Sequence, residues 1–272
     1  MKILPLQPSH SAEGQRAGFS LIELLTAMAV LALILVMLMQ VVNGILQSTQ
    51  TQSQQIESVE TARRMLDIIE TDLSLAVVGE NAAVLVKSDA DSHGLALLSD
   101  RRGPVDPHRF LAVRYDLDDA TQLSRSYGSV GFTDTDLLGS TVNTPNTSIL
   151  SDGILAFQIR VNTGNGSYSA SDTASVNWAT NNYNGGSTPT GWKALITESP
   201  AFASGLSNRA KAIQIWVAAV DSQNLSLIDT NSIGAIFGPD PTSWRAAVDS
   251  AADLPPRVKA GIRILNKTVP LP

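Results

Sequence analysis

The sequence predicts an α+β protein in which a long N-terminal helix packs against an antiparallel β-sheet. Three observations lead to this fold class: an apolar run near the N-terminus, an apolar stripe at helical spacing after it, and many short strand-like runs in the remaining chain. With 272 residues, 43% of them hydrophobic, the chain is long enough for one sizeable core. We expect a leader at 1–18, a transmembrane helix at 19–42, an amphipathic helix at 43–78 and a β-rich head at 79–272.

The apolar run is long enough to cross a membrane. Residues 19–42 form a helix of roughly 36 Å at about 1.5 Å per residue, against about 30 Å of hydrocarbon. Lys2 and Arg16 precede the run, and no Lys or Arg follows it before Arg63, which predicts a cytoplasmic N-terminus. Glu23 is the charged residue in this run, and a carboxylate near the start of a membrane helix predicts a specific partner.

A cleavable secretory signal is the alternative for this segment, with Ala27-Met28-Ala29 as its small-residue cleavage site. The apolar run continues well beyond Ala29, however, and Glu23 interrupts its hydrophobic core. Both features favour a membrane helix that is retained.

The segment after the apolar run has the pattern of an amphipathic helix. Apolar residues recur at steps of three and four, with Arg63, Arg64, Asp67, Glu70 and Asp72 between them. We expect the stripe to pack under the head, with the helix ending near Gly79; a coiled-coil stalk is the alternative. The predicted stripe is Ile56, Val59, Ala62, Leu66, Ile69, Leu73 and Ala76.

Beyond Gly79, short runs rich in β-branched or aromatic residues alternate with turn residues and predict strands. The third and fourth runs, joined by residues 118–121, predict a hairpin, and the sixth predicts a central strand. Asp240 followed by Pro241 predicts the start of a short helix that ends before Pro255. The predicted strands are Ala82–Val86, Leu95–Leu98, Phe110–Tyr115, Gln122–Tyr127, Ile154–Val161, Ala212–Val220 and Gly261–Leu265.

Residues 162–190 are predicted to be a flexible insertion, because 20 of these 29 residues are Asn, Gly, Ser or Thr. Tyr168, Trp178 and Tyr183 are candidate anchors for a ligand or a neighbouring protein. The alternative is a variable, solvated loop.

Composition and motifs argue against several classes of function. The formal net charge of −6 disfavours nucleic-acid binding, and the chain has no cysteine for thiol chemistry or cysteine metal sites. His10, His93 and His108 are far apart, and no local motif of a hydrolase, metalloenzyme or phosphate-binding loop is present. We therefore expect no catalytic residue and no cofactor.

Some acidic groups in the sequence could supply ligands to calcium. Aspartates are frequent in predicted turns, and the groups Asp116-Leu-Asp-Asp and Asp134-Thr-Asp carry the oxygen ligands that calcium prefers. Neither has the glycine and distal glutamate of a calcium loop, and aspartate is also an ordinary turn residue. We expect turns rather than a metal site.

Gly18, Phe19 and Glu23, at the junction of a short basic leader and an apolar helix, resemble the class III signal of type IV prepilins and type II secretion pseudopilins. The resemblance implies that a prepilin peptidase cuts between Gly18 and Phe19 and methylates the new amine of Phe19. It also implies that Glu23 meets the N-terminal amine of a neighbouring subunit. A buried carboxylate is tolerable in lipid when a cation pairs with it.

The predicted hairpin resembles the Tyr-x-Leu…Leu-x-Arg signature of J-type minor pseudopilins, matched by Tyr115, Leu117, Leu123 and Arg125. Arg125 on a strand could equally be a solvated edge residue. Overall length, the region around Ala62-Arg63-Arg64 and the ending from Asn266 are similar to the prepilin-like proteins of the Verru-Chthon cassette. The apolar helix lacks the mid-helix proline of many major pilins, which fits minor subunits at least as well as major ones.

These resemblances imply a structural subunit, held in the bacterial inner membrane with a periplasmic head and then assembled through its helix into a pilus or pseudopilus. The implied partners are prepilin peptidase, other pilin-like subunits and an inner-membrane assembly platform. Two alternatives stay open: an adhesion module displayed by a pilin export route, and a periplasmic enzyme with a pilin-like anchor.

Overall fold

A computed structural model describes residues 20–77, 84–89, 92–100, 110–117, 121–131, 141, 144–162, 168–170, 178–179, 192–195 and 210–271 of the chain. The chain divides into two units, Met1–Gln52 and Ser53–Pro272. A single helix, α1, spans Leu21–Ser74 and runs through the boundary between them. The predicted transmembrane and amphipathic segments are therefore parts of one continuous helix.

The strands of the second unit form two antiparallel sheets rather than the one sheet that the sequence suggests. The first sheet has seven strands in the order β5-β4-β3-β2-β1-β9-β8, and the second has four in the order β11-β10-β6-β7. The strands are β1 Val84–Asp89, β2 Ser92–Ser99, β3 Phe110–Leu117, β4 Leu123–Val130, β5 Asn146–Ser151, β6 Ile154–Asn162, β7 Tyr168–Ala170, β8 Trp178–Ala179, β9 Trp192–Leu195, β10 Ala212–Ala219 and β11 Arg263–Pro270.

All seven predicted strands are present, as β1, β2, β3, β4, β6, β10 and β11. The predicted hairpin is β3–β4, with Tyr115 directly opposite Arg125 and Leu117 opposite Leu123. The predicted central strand, β10, lies between β11 and β6. Sequence reasoning missed β5 and β9. The first four residues of β5 are exposed and therefore lack the alternation of a half-buried strand, and β9 is only four residues long.

Helix α1 ends at Ser74, before the predicted end point, Gly79, which lies outside the described residues. Pairing with β2 explains this end. Ala76 forms an isolated bridge with Ser99, and the Val77 amide donates to the Leu98 carbonyl at 2.7 Å. The Asp100 amide in turn donates to the Leu75 carbonyl at 2.9 Å. The chain leaves the helix because its backbone groups find sheet partners.

The main core joins the C-terminal part of α1 to both sheets, and the second sheet also faces another cluster. On β10, Ile213, Ile215 and Val217 belong to the main core, whereas Trp216 and Ala218 belong to the second cluster. This is the period-2 alternation of a strand that is covered on both faces. The sheet is therefore covered by apolar side chains on each side.

Short helices cover the second face of that sheet. They are α2 Ser222–Leu225, α3 Thr230–Ile236, a 3-10 turn Pro241–Ser243, α4 Trp244–Ser250 and α5 Pro256–Gly261. The predicted helix start is present: Asp240 accepts from the Thr242 amide, and Pro241 occupies the first turn. Trp244 lies fully buried between Trp216 and Phe237, with edge-to-face rings 6.5 Å and 5.4 Å away. Only the region of α4 was predicted as helical.

The predicted insertion at 162–190 contains two described segments. Tyr168–Ala170 pairs with β6 as β7, and Trp178–Ala179 pairs with β9 as β8. Tyr183 and the remaining residues after Asn162 lie outside the described part of the chain. A role for this region in contacts stays a prediction.

Candidate functional site

Glu23 lies in the first turn of α1, where the Glu23 and Leu24 amides donate to the Ser20 carbonyl at 3.0 Å and 3.2 Å. Its side chain is exposed, and no described residue pairs with its carboxylate. A carboxylate in this position also interacts favourably with the positive end of the helix dipole. It shares a shallow surface groove with Thr26, Ala27, Val30, Leu31 and Ile34.

The helix around Glu23 presents apolar side chains in every direction. All the large apolar residues from Leu21 to Leu46 are exposed, and the least exposed of them, Val42, still has 43% of its surface accessible. Among the described residues, one segment, Leu21–Thr49, is long and apolar enough to span a membrane. A helix that is apolar all round is suited to lipid or to a bundle of similar helices. These features support membrane anchoring.

The other two predicted site residues, Gly18 and Phe19, lie outside the described residues. Cleavage between them and methylation of Phe19 remain sequence-based expectations. Glu23 lies three residues after Ser20, in the first turn of α1. Cleavage after Gly18 would place the new N-terminus close to the start of this helix.

The C-terminal part of α1 presents a buried stripe that differs from the predicted one at its ends. Ala62, Leu66, Ile69, Leu73 and Ala76 are buried as predicted. Ile56 is exposed and Val59 is half-buried, so the packed stripe begins later than the sequence indicates. Met65 and Asp72 are also buried, although the predicted stripe includes neither of them.

Asp72 lies at the centre of a buried polar cluster with Tyr115 of β3 and Arg125 of β4. Arg125 Nη2 and Nε donate to Asp72 Oδ2 at 2.8 Å and 3.0 Å. The Tyr115 hydroxyl donates to the same oxygen and accepts from Arg125 Nε at 3.2 Å. Asp72 and Tyr115 are inaccessible to solvent, and the Arg125 side chain is 14% exposed. The cluster joins helix to sheet through charge-assisted hydrogen bonds.

The environment of the cluster favours one ionisation state for Tyr115 and one for Arg125. Burial, and then the negative charge of Asp72, raise the pKa of the Tyr115 hydroxyl well above its ordinary value. Burial by itself would lower the pKa of Arg125, but its interactions with Tyr115 and Asp72 raise it. Tyr115 therefore stays protonated as a donor, and Arg125 stays charged. The guanidinium also lies 5.7 Å from the ring centroid of Tyr127.

These contacts account for the hairpin signature that the sequence analysis singled out. Tyr115 and Arg125 form one cross-strand pair, which binds Asp72. Leu117 and Leu123 form the next pair on the same face, and Leu123 is fully buried in the main core while Leu117 packs against it. Arg125 is thus a buried partner rather than a solvated edge residue. Asp72 is the functional candidate that sequence reasoning missed.

A second polar contact links α1 to β11 at the surface. Lys267 Nζ lies 2.6 Å from Asp67 Oδ1 and 2.6 Å from Glu70 Oε2. The Asp67 side chain is largely exposed and that of Glu70 is partly exposed. This contact therefore resembles an ordinary surface ion pair in its energetics.

The predicted calcium ligands are mostly outside the described residues, which include Asp116 but neither Asp118, Asp119, Asp134 nor Asp136. Arg114 Nε lies 2.7 Å from Asp116 Oδ2, and Lys87 Nζ lies 4.0 Å from Asp116 Oδ1. Burial raises the pKa of Asp116, and the two cations oppose that effect. No group of three or more potential metal-ligating side chains occurs within the described part of the chain.

A polar cleft of about 460 Å³ lies in the second unit, lined by Ser58, Thr61, Ser151, Asp152, Ala219, Val220, Asp221, Ser222 and Gln223. Asp221 accepts from the Asn224 amide at 2.9 Å and from Asn224 Nδ2 at 2.6 Å, which caps α2. His93 lies on β2, where its side chain is not described, and His10 and His108 lie outside the described residues. The cleft lining gives no acid and histidine pair for catalysis.

Comparisons with known proteins agree with the N-terminal signal. Residues 14–39 match the family model of the prokaryotic N-terminal methylation motif. No curated protein sequence matches the chain. Among solved structures, the chain is similar to a type IV-like pilin from Thermus thermophilus, with 11% identity and a TM-score of 0.44 over 79% of this chain and 96% of that one. The chain thus carries the N-terminal methylation motif of prepilin-like proteins, at the start of an α+β fold with an exposed apolar helix.

Proposed function

We propose that this chain is a minor pilin-like subunit of a type II secretion pseudopilus or a type IV pilus-like fibre. The methylation motif at residues 14–39 carries the proposal, because it combines a processing signal with the helix that assembles such fibres. The J-type hairpin signature favours a minor subunit, and the absence of a mid-helix proline fits a minor subunit at least as well as a major one. The role is structural, with no catalytic residue.

The proposed maturation begins at the leader. Prepilin peptidase cleaves after Gly18, a residue without a side chain that could crowd the backbone at the cleavage point. The new N-terminus, Phe19, is then methylated. The subunit stays in the inner membrane through α1, with its N-terminus cytoplasmic and its head periplasmic, until an assembly platform transfers it to the fibre.

The proposed assembly step depends on Glu23. The exposed apolar face gains little from moving out of lipid into a bundle of similar helices, because both surroundings are apolar. A paired carboxylate and N-terminal amine therefore contribute specificity that apolar contacts lack. Glu23 binds the Phe19 amine of a neighbouring subunit, since an unpaired carboxylate inside the bundle would cost several kcal/mol.

Processing can be tested with two variants of the same residue. In cells that contain prepilin peptidase, intact-mass measurement of the wild-type chain should show loss of residues 1–18 and addition of one methyl group. Gly18→Ala should be processed at least partly, whereas Gly18→Trp should keep the leader. Normal maturation of Gly18→Trp would contradict the proposed signal.

Assembly can be tested separately in chains that are processed normally. Glu23→Leu should reach the membrane but fall more than about tenfold in sheared fibres, the factor expected for a loss above about 1.4 kcal/mol. Glu60→Gln is the matched control, because Glu60 is an exposed acid of the same helix that pairs with Arg64 at 3.5 Å. Equal incorporation of the two variants would exclude the pairing role of Glu23.

A further inference from the structure

We propose that the cluster of Asp72, Tyr115 and Arg125 fixes the register of α1 on the head, and does so at a cost in stability. Its three members come from α1, β3 and β4, and they converge on one carboxylate oxygen. The proposal concerns the position of the helix along the seven-stranded sheet. It does not depend on whether the chain assembles into a fibre.

Apolar packing leaves this register weakly defined. One helical turn before Asp72 lie Ile68 and Ile69, whereas Leu75 and Ala76 follow the end of α1, where Ala76 forms its bridge with Ser99. A slide of one turn, about 5.4 Å, that brings Ile68 and Ile69 to the place of Asp72 would keep aliphatic side chains on the packed face but would displace this bridge. The hydrophobic effect is non-directional, so it discriminates little between such arrangements.

The polar cluster discriminates strongly between them. After a slide that brings Ile68 and Ile69 to the place of Asp72, the Arg125 guanidinium and the Tyr115 hydroxyl would face aliphatic carbon instead of a carboxylate. Arg125 would then be a largely buried charge without its counter-ion, and Asp72 would be desolvated elsewhere. A single buried carboxylate therefore selects one register out of several that the apolar stripe accepts.

The cluster also links the position of α1 on the head to the alignment of β3 with β4. Tyr115 and Arg125 are directly opposite in the β3–β4 ladder, and a shift of one residue between these strands would turn one of them to the other face. Asp72 can bind both only when the hairpin is aligned as observed. Helix position and hairpin alignment are thus specified together.

The surface contact of Lys267 with Asp67 and Glu70 cannot replace this function. The two carboxylates lie one turn apart on α1, and the long lysine side chain reaches both. A flexible ammonium group with three donors can follow acids at several positions along a helix. The Lys267 contact can therefore form at several positions of α1 on the head and does not select one of them.

The cost in stability can be measured by thermal unfolding of the full chain in detergent. Asp72→Leu and Arg125→Met should each lower the melting temperature by on the order of 10 °C, because each leaves a buried polar partner behind. The triple variant with Asp72→Leu, Tyr115→Phe and Arg125→Met should melt at or above the wild-type temperature, because apolar side chains of similar size replace the desolvated charges. A triple variant that does not fold, or that melts clearly below the wild-type chain, would overturn the proposal.

Register is read out by cross-linking, for which the absence of cysteine in the chain leaves a clean background. Lys267→Cys is combined in turn with Asp67→Cys, Arg63→Cys or Thr71→Cys, which lie about one turn apart along one face of α1. With the native cluster, a short bismaleimide should join residue 267 to residue 67 at least about tenfold faster than to residues 63 and 71.

In the triple variant this preference should fall to within about threefold, because several registers become similar in energy. Retention of the tenfold preference in a folded triple variant would show that apolar packing or the backbone bridge of Ala76 with Ser99 sets the register, and would overturn the proposal. Asp72→Glu serves as the conservative control, since it retains the carboxylate and should retain the preference. A purely stabilising role of the cluster would change the melting temperature without changing the cross-linking pattern.

Discussion

The two halves of α1 each carry one notable carboxylate, and the two carboxylates differ in their burial and in their partners. Glu23 lies among exposed apolar side chains, and no described residue pairs with it. Asp72 is fully inaccessible and binds Arg125 and Tyr115 of the same chain. The first carboxylate is suited to a partner from another chain, and the second has its partners within the fold.

This difference shows how one helix can serve two kinds of contact. Where the helix packs on the head, its apolar stripe is one-sided and a buried acid is matched by a buried base. In the N-terminal half, apolar side chains are exposed all round the helix, and under the proposed function Glu23 supplies the specificity for a neighbouring subunit. We expect substitutions in the two halves to separate folding from assembly.

The largest expected effect on stability is that of Asp72→Asn. The amide keeps the size of the side chain but leaves Arg125 without its counter-ion, which we expect to lower the free energy of unfolding by about 3 kcal/mol. Chemical denaturation of the full chain in detergent measures this change. A loss below about 1 kcal/mol would mean that the buried carboxylate of Asp72 contributes little more to folding stability than the exposed carboxylate of Glu23.

A smaller effect is expected from alkaline pH. Burial raises the pKa of Tyr115 in the folded chain above its unfolded value of about 10. The unfolded chain therefore loses this proton first, and the stability that is present below about pH 10 falls as the pH rises further.

The Tyr115→Phe variant isolates this contribution, since it leaves the other titrating groups in place. Between about pH 9 and about pH 11.5 we expect the wild-type chain to lose up to about 2 kcal/mol more than the variant. Parallel pH profiles for the two chains would show that the hydroxyl contributes nothing to the buried cluster.

The exposed ion pair should have a weaker effect than the buried one. Lys267→Met removes the contacts with Asp67 and Glu70 but keeps most of the apolar stem, so we expect a loss below about 1 kcal/mol. The loss should shrink further at high salt, because exposed charges are screened. A loss as large as that of Asp72→Asn would place the main polar link between helix and head at β11.

The smallest effect on folding is expected for Glu23→Gln. Since the Glu23 side chain is exposed and no described residue pairs with it, the melting temperature of the head should stay within about 1 °C of the wild-type value. The same variant should lose incorporation into fibres under the proposed function. A marked fall in melting temperature would show that the two carboxylates are not independent.

Local signals in the sequence were sufficient for much of this fold. The apolar run, the stripe on α1 and seven strands were predicted because each depends on the spacing of neighbouring residues. The buried position of Asp72 left a trace in the same spacing, since it lies three residues after Ile69 and four before Ala76. An acid at that position is expected to face solvent unless a basic residue is known to pack against it. The basic residue that does so, Arg125, lies 53 positions later in the sequence.

The sequence by itself determined the N-terminal motif with Glu23, the continuous apolar segment and the α+β class, because these follow from local order and periodicity. The tertiary structure decided where α1 ends, how the strands divide into two sheets, and that Asp72, Tyr115 and Arg125 meet. Each of these depends on a distant backbone or side-chain partner. Only the folded chain brings those partners within hydrogen-bonding distance.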